Sequence, residues 1–283
     1  IINQTTSTNG EVWFKALGAQ MQQADEKGAP GFLSRTWGGL AGYSLGLNKD
    51  WSVGVGFGLL NTDVRVKYHL SDVNVTHYMT TMTAMYKTKE IWITLGGIGG
   101  INKFNQTRYL ANTPLIPNAK YGGTNIGASL HMSHIFELGD GVKLLPVISG
   151  LFMRSRTEAY EERNAPGYAL KVEPQSNRMV QVKAGLMLAK VMDLDDRIYK
   201  MGVEINAVER RTLDPQTQRS TFIGQTGVTV SSGPKMNHLS MDLGLGAQVK
   251  YKDTGNKYKI GYKGDFGPKT KSHTFTLELS LAL

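Results

Sequence analysis

The chain has no cysteine among its 283 residues. An oxidising compartment permits disulfides without demanding them, so this absence does not locate the protein. It does suit a chain that must cross such a compartment unfolded. No stretch of 18 or more apolar residues occurs, which excludes a transmembrane helix. The first residues, Ile1-Ile2-Asn3, carry neither a charged region nor an apolar core, so no signal peptide is visible and a fragment of a longer precursor is the expectation. No metal-ligand spacing, nucleotide motif or phosphate loop is present. The cluster Gly96-Gly97-Ile98-Gly99-Gly100 follows Trp92-Ile93-Thr94-Leu95 inside a strand pattern, whereas a phosphate loop opens a helix. Neither cofactor nor metal is expected. The formal net charge of +9 is spread through loops and strand interiors rather than gathered in one element. That distribution argues against nucleic acid and fits anionic lipid headgroups better.

What the sequence does have is alternation. From His273 to the end, Phe275, Leu277, Leu279, Leu281 and Leu283 fall on one face and Thr274, Thr276, Glu278, Ser280 and Ala282 on the other. A period of two makes a strand with one apolar face. Trp51 to Leu59, Asn125 to Met132 and Val180 to Leu188 repeat the pattern, and His238 to Tyr251 sustains it for more than a dozen residues. Globular strands average about 5–6 residues, whereas a tilted membrane-spanning strand needs about 9–11. The mean hydropathy of −0.26 is no objection, because barrel strands mix lipid-facing and lumen-facing positions.

Short Gly, Asp and Asn-rich connections at 48–50, 88–89, 139–141, 193–196 and 253–256 alternate with longer polar ones near 24–34, 65–74, 109–120, 157–176, 212–234 and 267–272. Five short turns and six long loops join twelve strands. The expectation is an all-β fold, a twelve-stranded antiparallel transmembrane β-barrel of the bacterial outer membrane, with short turns on the periplasmic side. Tyr43, Trp51, Tyr86, Trp92, Phe136, Tyr199, Tyr251 and Tyr258 flank the short turns, which predicts a periplasmic aromatic girdle.

The opposite face predicts a wet lumen lined by Lys183, Lys200, Glu204, Asp242, Lys250, Lys259, Lys263, Asp265 and Glu278. A barrel-wall hydrolase would need serine or aspartate within reach of a histidine. His131 and His134 fall on opposite faces. His238, Ser240 and Asp242 share a face, but same-face neighbours on a strand stand roughly 7 Å apart, too far for direct hydrogen bonds. Catalysis is not expected. The chain is also short for a porin of about 16–18 strands, though a stand-alone outer-membrane channel remains an alternative.

Several ordered segments resemble the translocator β-domain of monomeric autotransporters, the type V secretion family. They are Asn9 to Gly18 with its Trp13 and Lys15, Gly42-Tyr43 with Asn48 to Gly58, Asn177 to Arg211 as the eighth and ninth strands, and Gly261-Tyr262-Lys263-Gly264-Asp265-Phe266-Gly267 before the closing strand. The resemblance implies residues 11–283 as the barrel and 1–10 as the remnant of a pore-threading linker. It implies a monomer in the outer membrane of a Gram-negative bacterium, among lipid and lipopolysaccharide, with its own passenger segment in the pore. The function it implies is anchoring and export of an N-terminal passenger together with the barrel-assembly machinery. Phe275, Leu277, Leu279, Leu281 and Leu283 would be the C-terminal assembly signal, departing from the usual terminal Phe or Trp. Asn3 is a candidate cleavage junction, and an ordinary linker asparagine is the simpler reading.

Overall fold

A computed structural model describes residues 10–26, 29–214, 217–233 and 238–283. Asn3, and with it the cleavage expectation, lies outside the described residues. In chain order the strands are β1 (Gly10–Gln23), β2 (Phe32–Gly46), β3 (Trp51–Val66), β4 (Ser71–Lys87), β5 (Ile91–Arg108), β6 (Asn118–His134), β7 (Phe136–Gly139) and β8 (Val142–Thr157). Then come β9 (Tyr160–Glu161), β10 (Leu170–Val172), β11 (Gln175–Asp193), β12 (Arg197–Thr212), β13 (Thr217–Phe222), β14 (Val228–Ser232), β15 (His238–Tyr251), β16 (Lys257–Phe266) and β17 (Thr270–Ala282). One 3-10 turn, Lys67–His69, is the only helical element among the described residues.

Twelve of these strands pair antiparallel with their neighbours and close into a barrel. The cycle runs β1 to β6, then β8, β11, β12, β15, β16 and β17, and β17 pairs back onto β1. Closure removes every free edge of the wall, which is what a β-structure in hydrocarbon requires. β7 continues β6 past Ile135 and pairs with β8. Barrel strands run from 10 residues in β16 to 19 in β11, so the longest overreach the hydrocarbon on the long-loop side.

Alternation fixes the two faces. Phe57, Ile126 and Leu277 stay 64%, 61% and 59% exposed, although each sits mid-strand with both edges paired. They belong to a continuous apolar outer surface that only lipid can cover. The inward positions between them carry the small and polar residues. One inward contact sets local spacing: Trp13 lies over Gly42 and Gly56, where a Cβ would come within 2.2 and 2.6 Å of its ring, and its indole N–H donates to Ser44 Oγ at 3.1 Å.

The long segments 157–176 and 212–234, expected as plain loops, carry structure of their own. β9, β10, β13 and β14 form a separate four-stranded sheet on the long-loop side. It is tied to the barrel's inner rim by a ladder of rings, Phe104 on Tyr121 at 4.8 Å and Tyr121 on Tyr160 at 4.0 Å. Arg108 adds a two-pronged bond to buried Glu162, its Nε donating at 2.8 Å. Strands of two to six residues with no sustained alternation leave little periodic signal.

Candidate functional site

The lumen is where the polar side chains converge. Its two walls differ. On the β2 to β6 side, between Lys87 near the short turns and Arg108 near the long loops, neutral polar groups link into a chain that crosses five strands: Thr36 with Thr62 at 2.9 Å, Thr62 with His77 Nε2 at 3.0 Å, His77 Nδ1 with Asn102 Oδ1 at 2.7 Å, and Asn102 Nδ2 donating to Asn125 Oδ1 at 2.5 Å. Below it, toward the short turns, Met85, Trp92, Ile135, Leu145, Val147, Met187 and Ala189 form a buried apolar cluster.

The β11 to β1 side is ionic. Lys183 and Lys263 grip Asp242 at 2.5 and 2.9 Å, and Asn206 also donates to it. Lys259 and Lys15 share Glu278, the latter at 3.4 Å. Lys257 pairs with Glu11, and Arg210 with Asp265 and Gln181. Several of these bonds reach over an intervening strand: Glu11 is on β1 and Lys257 on β16, with β17 between them. Inward curvature brings such side chains together, and the residues beneath the contact, Ser280 and Ala282, are small. Lys263 keeps 44% of its side chain exposed inside the wall, whereas Lys257 keeps 2%. Water therefore reaches part of the lumen, and the rest is a dry ionic seam.

Of the lumen charges expected from sequence, Lys183, Asp242, Lys259, Lys263, Asp265 and Glu278 enter this network. Glu204 accepts from Asn206 at 2.7 Å. Lys200 and Lys250 sit inward near the short turns, with no acidic partner among the described residues. Glu11, Lys15, Arg210 and Lys257 were missed. The alternation of Glu11, Trp13 and Lys15 against Val12, Phe14 and Ala16 carried that signal, and their partners lie up to 246 residues away in sequence. His238 and Ser240 share an inward face, but Asp242 is committed to its lysines, and the His238 Nε2 and Ser240 Oγ atoms have no hydrogen-bond partner among the described residues. No triad is assembled there.

The aromatic residues near the short turns are placed as follows. Tyr43, Trp51, Tyr86, Phe136, Tyr199, Tyr251 and Tyr258 lie at outward positions. Trp51 packs on Tyr86 at 5.0 Å, and Tyr251 meets Tyr258 edge-on at 6.0 Å. Trp92 departs from the girdle. It is 6% exposed, faces inward, and donates to Thr94 Oγ1 at 3.0 Å. The parity of β5 dictates this, since Ile91, Ile93 and Leu95 take the outer face. On β17, Phe275, Leu277, Leu279 and Leu281 point outward, and the Leu283 amide donates to the Gly10 carbonyl at 2.9 Å. Outside the span, the Gly31 amide and then Lys67 hold the Asp25 carboxyl below the usual carboxylate range.

A closed antiparallel cylinder with an apolar outside and an ionic interior defines a transmembrane β-barrel. The autotransporter β-domain family model matches residues 12–258, and the chain belongs to that family. The fold is shared with three solved translocators. The translocator domain of the autotransporter NalP from Neisseria meningitidis has 12% identity and a TM-score of 0.76, covering 98% of this chain and 89% of that one. The β domain of the Bordetella autotransporter BrkA has 14% identity and a TM-score of 0.77, covering 97% and 100%. The transport unit of the autotransporter AIDA-I from Escherichia coli has 12% identity and a TM-score of 0.68, covering 100% and 93%. A search of curated protein sequences gives no match. Barrels of this family sit in the outer membrane of Gram-negative bacteria, which places the short-turn end at the periplasm.

Proposed function

We propose that this barrel anchors an N-terminal passenger in the outer membrane and supports its export through the lumen, performing no covalent chemistry. The observation that carries this reading is the position of Gly10. β1 starts at the short-turn end, beside Leu45 and Leu283. A passenger joined ahead of β1 therefore meets the periplasmic mouth, and its route to the outside is the polar interior of this cylinder. The wet face around Lys263 would keep a threading segment solvated, and the ion-paired seam would keep the wall from collapsing onto it.

The outward face of β17 is the part of the chain suited to the barrel-assembly machinery. In the closed barrel β17 has both edges paired, to β16 and β1. Strand addition by that machinery must therefore precede closure. Lipopolysaccharide fits the outer rim, where Lys120, Arg154 and Arg156 stand exposed above the apolar band.

The test is to express the chain with its natural upstream sequence, carrying an epitope, and label intact cells with antibody. Surface labelling is expected. An epitope that stays periplasmic while the barrel is folded and inserted would defeat the proposal.

A further inference from the structure

The lumen carries surplus positive charge, gathered at one end. Glu11, Asp242, Asp265 and Glu278 are each held by a lysine or arginine, and Asp242 and Glu278 by two lysines each. Glu204 lies further from the periplasmic mouth and is bonded to Asn206. Lys87 on β4, Lys200 on β12 and Lys250 on β15 face inward in the short-turn half, and none has an acidic partner among the described residues. The residues outside the described ones contain no Asp or Glu, so they offer no acidic side chain as a counter-charge. In register Lys250 lies opposite Lys257, and Lys200 and Lys259 flank Gln248 from either side. The Lys87 ammonium stands 5.3 Å from the Trp92 ring centroid.

A second, independent observation sits among these lysines. Gln248 is 4% exposed and lies between Lys200 and Lys259 in register. Its Nε2 donor is buried and has no acceptor among the described residues. An unmet buried donor costs free energy until something accepts from it. Every neighbour in its row that carries positive charge is a donor too, so the missing partner is an acceptor, and an anion satisfies both the amide and the ammonium groups.

We propose that the short-turn half of the lumen is an anion-binding vestibule, and that the duct, when open, passes small inorganic anions in preference to cations. Fixed charges of one sign in a narrow, low-dielectric wall raise the local concentration of the opposite ion, as rings of lysine do in anion pores. Screening over about 8 Å at physiological salt leaves that field intact across a narrow duct.

The experiment is the reversal potential of the purified barrel in neutral planar bilayers under a potassium chloride gradient. Chloride should be preferred over potassium by about three-fold or more, as expected for a lysine-lined pore. Lys87→Gln/Lys200→Gln/Lys250→Gln should bring the ratio close to parity, because these lysines take part in no ion pair that holds the wall together. An outer-face control, Lys103→Gln, should leave the ratio unchanged. Parity or a cation preference in the unaltered chain, or a preference surviving in the triple variant, overturns the proposal. Where a preparation does not conduct, chloride-35 NMR line broadening in detergent reads the same site. The unaltered barrel should broaden the line more than the triple variant, and equal widths overturn the proposal.

Discussion

The two walls of the lumen solve one problem with different chemistry. Both must satisfy inward polar groups in a place hydrocarbon cannot reach and water only partly enters. The middle of the β2 to β6 wall does so with neutral groups whose hydrogen bonds run from strand to adjacent strand, Thr36 through Asn125. The β11 to β1 wall does so with charges that reach across a strand, as Glu11 reaches Lys257. Neutral chains cost less to desolvate, so each link contributes modestly and its loss is local. Charges tie distant strands and hold the curvature, but each is costly once its partner is gone. The seam β17–β1, where the first and last strands meet, is on the ionic side.

The sharpest way to break this comparison is at the buried pair. Glu11→Gln leaves Lys257 charged and dry, and should cost about 3–5 kcal/mol, read as a lowered urea midpoint of the barrel in detergent. Replacing both partners, Glu11→Leu with Lys257→Met, should recover most of that loss. A second strong effect is expected where the walls meet at Trp13. Gly42→Val forces a side chain into the indole and the Val55 carbonyl, with a cost of about 1–3 kcal/mol for overpacking. It should also lower the fluorescence polarisation of Trp13, measured in a variant lacking the other tryptophans.

On the neutral wall, Asn102→Ala removes one link and should cost about 1–2 kcal/mol, as for a lost buried hydrogen bond. A cost as large as that of Glu11→Gln would erase the distinction between the walls. The smallest effect concerns Asp25, in the loop between β1 and β2. Its folded pKa is depressed, so its contribution is present above the unfolded carboxylate value and is lost as pH falls through the lowered folded value. Protease nicking of that loop should rise as pH drops through that window, and Asp25→Asn should be nicked at a rate nearly independent of pH.

Most of the barrel was legible because its rule is local. His238 to Tyr251 and His273 to Leu283 alternate so regularly that strand identity followed directly, and the inference of a membrane then assigned the apolar face to lipid. The same rule, applied to β5, would have put Trp92 inside. Its nearness to a turn suggested the girdle, but parity outranks position, since one face of β5 already held Ile91, Ile93 and Leu95. The outer sheet was not legible. β9 and β10 are held by a Tyr160 ring stacked on Tyr121 and by Glu162 gripped by Arg108, contacts with no periodic trace in the chain. Lumen charges could be assigned to the inner face but not paired, because pairing depends on the register between strands far apart in sequence.

By itself the sequence determined the barrel's strand count, the alternation of faces and the sorting of short turns from long loops, because each follows from neighbours two residues apart or a few residues around a turn. Only the tertiary structure decided which charges meet, that Trp92 joins a buried cluster beneath the neutral wall, and that Lys87, Lys200 and Lys250 are left without acids. Those outcomes depend on closure of the cylinder, which sets curvature and register at once and brings together groups that no local pattern relates.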